Sequence, residues 1–94
     1  MESVKEILTK LENADNTTKN ELENKLVEHG TEVLPQLVDQ LQVVRGIKRR
    51  VVAMTLIRIG DASIKYLEKA AQKNKDFEWV AEYLIREIKG EIAA

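Results

Sequence analysis

Few side chains in this 94-residue chain have the types and the spacing that chemistry requires. His29 is the only histidine, and the chain has no cysteine that could join it as a metal ligand. Pairs of carboxylates, such as Glu21 with Glu23 or Asp76 with Glu78, lie near predicted helix starts, where the helix dipole favours acidic side chains. No glycine-rich loop is present to bind a phosphate group. We therefore predict no catalytic residue, no metal ion and no cofactor, and we expect that the protein is not an enzyme.

The distribution of charge is the feature that points most directly to a function. The net charge is −1, yet residues 40–60 contain five basic residues and no acidic one. Residues 1–39, in contrast, contain nine acidic and four basic residues. Basic side chains at the start of a helix oppose the helix dipole, so they give that helix no local stability. We call this group the basic island, and it consists of Arg45, Lys48, Arg49, Arg50 and Arg58.

The basic island has one internal and several external interpretations. Internally, one arginine of the island would connect neighbouring loops through an acidic side chain. That connection does not account for all five cations, so we predict an acidic partner, with an acidic protein surface as the first choice. A phosphate backbone is less favoured, because the isoelectric point is near 5.9 and no aromatic residue accompanies the arginines for base stacking. Self-association, in which the acidic residues of one copy meet the basic island of another, is a third interpretation.

Trp79 and Met54 are further candidates for partner binding. Trp79 lies with Phe77 and Tyr83 near the predicted last helix, and aromatic residues are enriched at binding hot spots. Alternatively, these aromatic side chains would cover the open end of a short stack of helices. Helical spacing places Met54 and Ile57 on the concave face of the predicted fourth helix. The predicted partner-binding residues are therefore Met54, Trp79 and the basic island.

A repeated phrase in the sequence indicates the architecture that positions these residues. VAMTLIR at residues 52–58 recurs as VAEYLIR at residues 80–86, with five of seven positions identical. Gly30, Gly60 and Gly90 are evenly spaced, and each follows a segment with apolar residues at helical spacing. Glycine just past a helix end readily takes the left-handed conformation that stops the helix. The pattern predicts three helical hairpins that bury their apolar faces by stacking on one another, as units of about 1–30, 31–60 and 61–90.

Apolar stripes and capping residues define the helices within each unit. The first helix has an apolar stripe at i, i+3, i+4 and i+7 in the first two units, and Glu68 breaks this stripe in the third. Capping boxes are predicted for Ser3 with Glu6 and for Thr18 with Glu21. Later helices are expected to be capped by Thr31, Asp61 and Asp76. We predict six helices, at about 3–13, 17–29, 32–43, 47–59, 62–73 and 77–89.

The segment KRRVVAMTLIRIGDASIKYLEKAAQ, residues 48–72, resembles the HEAT-like repeats of phycobilin lyases. The basic positions of that repeat correspond to Arg49 and Arg50, and its Ile-Gly-Asp turn corresponds to residues 59–61. The resemblance implies that Arg49 or Arg50 connects neighbouring loops through Asp61 or Asp76. The segment HGTEVLPQLVDQL, residues 29–41, resembles the first helix of such a repeat. The resemblance implies a short right-handed α-solenoid of three HEAT-like hairpins. An ordinary small helical bundle is the competing fold.

The resemblance also implies a class of function. HEAT repeats mostly serve as non-catalytic scaffolds, so we expect a protein-binding adaptor that uses the ridge of second helices, with the basic island as its anchor. An accessory subunit of a bilin-lyase-like complex is an alternative, although no residue here corresponds to a bilin-handling position.

Length and composition indicate where such a protein would work. Ninety-four residues suit one small domain, so we expect residues 1–94 to form a single unit. No apolar run reaches the length of a membrane span, and the charged first residues do not resemble a signal peptide. The absence of cysteine fits a reducing compartment. We therefore expect a cytoplasmic protein that does not contact a membrane.

Overall fold

The chain is all-helical, as the sequence predicts. A computed structural model describes residues 3–90, and within that range there are α-helices and short 3-10 turns but no strand. The helices are α1 (Val4–Lys10), α2 (Asn16–His29), α3 (Leu34–Leu41), α4 (Ile47–Ile59), α5 (Ala62–Lys73) and α6 (Glu78–Lys89). Helices α2 to α6 have eight residues or more, and α1 has seven. The 3-10 turns are Leu11–Asn13, Gly30–Val33 and Lys75–Phe77.

Capping at the first two helices confirms one prediction and corrects another. The Ser3 hydroxyl accepts a hydrogen bond from the Glu6 backbone N–H, and the Glu6 carboxylate accepts one from the Ser3 N–H, so the predicted capping box forms. The prediction of Thr18 as a cap is wrong. Asp15 caps α2, because its carboxylate accepts the Thr18 backbone N–H at 2.8 Å and places Thr18 inside the first turn.

The predicted caps of the later helices are also wrong. Thr31 lies inside a 3-10 turn that leads into α3 without a side-chain cap. Asp61 stands at the start of α5 but makes no capping hydrogen bond, since its own backbone is already helical. Before α6, the Asn74 side chain accepts the Asp76 backbone N–H at 3.1 Å. Asn74, rather than Asp76, therefore caps the 3-10 turn that precedes α6.

Glycines end α2, α4 and α6, as predicted. Gly30 and Gly60 have φ values of 60° and 87°, but their ψ values are −137° and −140°. That combination lies outside the left-handed helical region and is essentially restricted to glycine. Both turns between consecutive units therefore require glycine for the same backbone reason.

The core is one continuous cluster of aliphatic side chains. The predicted stripes of α1 and α3 are buried in it, and Glu68 of α5 is exposed. In α5, Ser63 and Leu67 are the buried residues. The recurring phrase also contributes, since Leu56 and Leu84 occupy equivalent positions in α4 and α6 and are both buried.

Helix α4 is the centre of the packing. It contacts α2 on one side and α6 on the other, and it also packs against α3 and α5. Helix α3 packs against α5 in the same way. Helix α4, which carries four of the five residues of the basic island, thus contacts both α2 and α6.

Candidate partner-binding surface

Two members of the basic island pair with acidic residues of the first unit. Lys48 Nζ lies 2.6 Å from Glu12 Oε1. Arg58 Nη1 donates hydrogen bonds to Glu23 Oε2 at 2.7 Å and to Asn24 Oδ1 at 2.9 Å. These contacts join α4 to the 3-10 turn that follows α1 and to α2. Lys48 and Arg58 therefore form ion pairs within the chain, and their role in partner binding stays a prediction.

The electrostatics of the first unit reflect its hydrogen bonds. The hydrogen bond and the positive charge of Lys48 lower the pKa of Glu12. The hydrogen bond from the Thr18 backbone N–H lowers the pKa of Asp15. Both carboxylates are thus held in their charged form by groups that only the folded chain brings to them.

The other three members of the basic island have no acidic partner within residues 3–90. Among residues 3–90, Arg45, Arg49 and Arg50 form no side-chain hydrogen bond or ion pair with one another or with other side chains. The predicted connection to Asp61 does not form, because Asp61 lies beyond the far end of α4, about 15–18 Å along the helix axis. A connection to Asp76 is also absent from this part of the chain.

The outer side of α4 carries three of the seven predicted partner-binding residues, Arg49, Arg50 and Met54. Since successive helical residues differ by about 100°, five side chains fall within an arc of about 140° on this helix. They are Arg49, Arg50, Ala53, Met54 and Ile57. The fully buried side chains of α4, Val52, Thr55 and Leu56, lie outside this arc. We call this outer arc the α4 ridge, and one groove lies on each side of it.

The groove between α4 and α6 brings Arg49 and Trp79 together. It has a volume of about 390 Å³, and it is lined by Leu41, Arg49, Ala53, Trp79, Val80, Tyr83 and Leu84. The side chains of Trp79 and Tyr83 are 70% and 53% exposed. Arg49 is the one charged residue among those lining residues. The structure thus unites two predicted site residues that lie thirty positions apart in the sequence.

The groove between α2 and α4 is polar and holds two further predicted residues, Arg50 and Met54. Its volume is about 570 Å³, and it is lined by Asn16, Lys19, Asn20, Glu23, Ile47, Arg50, Val51 and Met54. Met54 is 41% exposed. Arg45 precedes α4 in an exposed loop and lines neither groove. Four of the seven predicted residues therefore divide between two grooves of different chemistry.

Sequence reasoning missed several residues of this surface. Val80 and Leu84 complete the α4–α6 groove, and their role follows only from the packing of α4 against α6. The acidic partners Glu12 and Glu23 were also missed. The opposite charges of residues 1–39 and 40–60 were the signal for these pairs. The sequence suggested that these charges would meet between two copies, whereas the pairs form within one chain.

The remaining chemistry of the described residues is limited. His29 is the last residue of α2, as predicted. Among residues 3–90, no three histidine or acidic side chains come together as a metal site. None of the helices in this range is both long enough and apolar enough to pass through a lipid bilayer. No family model, curated protein or solved structure matches the chain, and the resemblance to HEAT-like repeats stays a prediction.

Proposed function

We propose that the chain is a non-catalytic protein-binding adaptor built as a short HEAT-like solenoid. Two features support the solenoid arrangement. Helices α2, α4 and α6 pack side by side in one row, and α3 packs against α5 in a second row. Each hairpin then repeats the placement of the one before it.

The observation that carries the binding proposal is the division of the basic island. Lys48 and Arg58 have acidic partners inside the chain, whereas Arg45, Arg49 and Arg50 have none among the described residues. Unpaired arginines suit bidentate contacts with carboxylates, and an acidic protein would supply them. Exposed Trp79 and Tyr83 would add the apolar contact that typical hot spots provide.

The partner would lie along the α4 ridge and reach both neighbouring helices. Its acidic groups would approach from outside, because the acidic residues closest to the island are already engaged by Lys48 and Arg58. The lack of cysteine suits a cytoplasmic location for this contact. Such a surface gives electrostatic steering and specificity, and the apolar contacts slow dissociation.

Charge reversal with a matched control tests the proposal. The test variant carries Arg45→Glu, Arg49→Glu and Arg50→Glu. The control carries the same change in charge at three exposed lysines elsewhere, Lys5, Lys65 and Lys69. Both variants must keep the helical circular dichroism and the urea midpoint of the wild type within error before binding is compared.

Immobilised wild type, test variant and control are incubated with lysate of the producing cells, with and without nuclease. Captured proteins are identified by mass spectrometry, purified and titrated against each variant. We expect an acidic protein that binds the wild type and the control but binds the test variant at least tenfold more weakly. Equal capture by all three chains would contradict the proposal. Capture that disappears after nuclease treatment would assign the arginines to a phosphate backbone instead.

A further inference from the structure

We propose that the groove between α4 and α6 binds a protein segment in which a large apolar side chain stands next to a carboxylate. The apolar side chain would enter the groove, and the carboxylate would pair with Arg49. This inference rests on the proposed adaptor function and names the partner chemistry that one part of its surface recognises.

The lining of the groove supports an apolar occupant. Six of its seven lining residues carry hydrophobic or aromatic side chains, namely Leu41, Ala53, Trp79, Val80, Tyr83 and Leu84. A volume of about 390 Å³ is at the low end for a ligand site, which suits one or two side chains rather than a large cofactor. Ala53 is the smallest of these residues, and its position one turn after Arg49 leaves room beside the guanidinium group.

The exposure of the aromatic pair supports a protein partner. Among residues 3–90, the large hydrophobic side chains that are exposed are Val43, Met54, Trp79 and Tyr83, and two of these four line this groove. Tryptophan and tyrosine are the residues that most often anchor interfaces, because they offer a large apolar area together with a polar group. Burying Trp79 under a partner would recover contact area that the isolated chain leaves in water.

Arg49 gives the groove its selectivity for charge. Its side chain is half-buried, and no acidic residue lies among the groove's described lining residues. A carboxylate that pairs with it beside apolar walls is screened less by water than an exposed pair would be. A neutral occupant would leave the guanidinium group without this interaction.

The other grooves lack this combination. The α2–α4 groove contains Lys19, Glu23 and Arg50, so charges of both signs meet there. The groove between α3 and α5 is likewise lined by both Asp39 and Lys69. A segment with one apolar side chain and one carboxylate is therefore expected to prefer the α4–α6 groove.

A matched pair of small probes tests this preference. The first probe is the acetylated dipeptide amide of phenylalanine and glutamate, and the second has glutamine in place of glutamate. Binding is followed by two-dimensional 1H–15N NMR on the full chain. Trp79 is the single tryptophan, so its indole N–H gives one unambiguous signal in the groove.

We expect the glutamate probe to shift the Trp79 indole signal and the amides of Ala53 and Val80, with a dissociation constant on the order of millimolar. The glutamine probe should bind about three- to tenfold more weakly. Arg49→Gln should remove the difference between the probes, whereas the control Arg50→Gln, which changes the α2–α4 groove, should keep it. Arg50 is exposed and Arg49 is half-buried, and neither belongs to the buried aliphatic core.

Three results would overturn the inference: no saturable shift at the indole signal, equal binding of both probes, or the same effect from Arg50→Gln as from Arg49→Gln. If the proposed adaptor function is wrong, the lysate experiment gives a different result: the chain captures no acidic protein through its arginines. Capture that depends on the arginines without probe binding would keep the adaptor function and reject this groove as its apolar site.

Discussion

Arg58 connects α4 to α2 through two hydrogen bonds, so removing its guanidinium group should weaken the contact between the first two units. The substitution Arg58→Met keeps the apolar stem of the side chain and removes the charge. Glu23→Gln keeps the shape of the partner and also removes its charge. The two single variants and the double variant together form a thermodynamic cycle that isolates the pair.

The burial of the pair sets the magnitude of the effect. The Glu23 side chain is 19% exposed and that of Arg58 is 41% exposed, so the pair is more protected than a typical surface salt bridge. Exposed pairs contribute about 0.2–1 kcal/mol, and hydrogen bonds to charged groups contribute about 1.5–3 kcal/mol. We therefore expect Arg58→Met to lower the free energy of unfolding by about 1–2 kcal/mol, with a coupling energy of about 1 kcal/mol.

Urea denaturation followed by circular dichroism at 222 nm measures these energies. For a domain of this size, a loss of 1 kcal/mol lowers the melting temperature by about 4–8 °C. Lys48→Met, which removes the more exposed pair with Glu12, is the comparison and should have a smaller effect. A coupling energy of zero between Arg58 and Glu23, with unchanged denaturant slopes, would refute the reasoning.

Three further predictions concern the stability of the folded chain. Ser63→Ala removes a buried hydroxyl that donates to the Leu56 carbonyl at 2.8 Å, and it should lower the urea-derived free energy of unfolding by about 1–2 kcal/mol. Gly60→Ala forces a Cβ onto a backbone with φ of 87°, and it should cost about 1–3 kcal/mol in the same assay. Because the folded chain lowers the pKa values of Glu12 and Asp15, their stabilising effect should be complete above about pH 4.5 and should be lost as the pH falls through the folded pKa values. The urea midpoint should therefore fall between pH 5 and pH 3, and less so in a Glu12→Gln, Asp15→Asn variant.

Each of these predictions has its own contrary result. Thr9 makes a similar hydroxyl-to-carbonyl bond at 2.9 Å on the surface, so Thr9→Ala is the control for Ser63→Ala. Equal effects of the two substitutions would show that burial of Ser63 is unimportant. A Gly60→Ala variant as stable as the wild type would contradict the assigned backbone conformation. For the acid dependence, identical pH profiles of the wild type and the double variant would be the contrary outcome.

The helical class and most helix bounds could be predicted because their signals are local. The predicted segments 47–59 and 62–73 coincide with α4 and α5, since apolar spacing, Gly60 and the following turn lie within a few residues of each other. Capping was less predictable. Asp15 and Thr18 both have the side chains of capping residues, and only the hydrogen bond between them shows which one starts α2.

The candidate site could be predicted in part, because its interactions join distant residues. Arg58 and Glu23 are 35 positions apart, and Lys48 and Glu12 are 36 positions apart. The opposite charges of the two regions were visible in the sequence, but their pairing depends on how α2 packs against α4. Likewise, Arg49 and Trp79 share a groove only because α4 and α6 are neighbours.

Site-specific photocrosslinking tests the central claim, that a partner binds along the α4 ridge, most directly. A photoreactive amino acid replaces Met54 on the ridge in one variant and Lys69 on the outer face of α5 in another, and both residues are exposed. Irradiation in the producing cells, followed by mass spectrometry, identifies the attached proteins. The account predicts an adduct with an acidic protein from the Met54 position and none from the Lys69 position. Adducts from the Lys69 position alone, or the same adducts from both positions, would contradict binding along the α4 ridge.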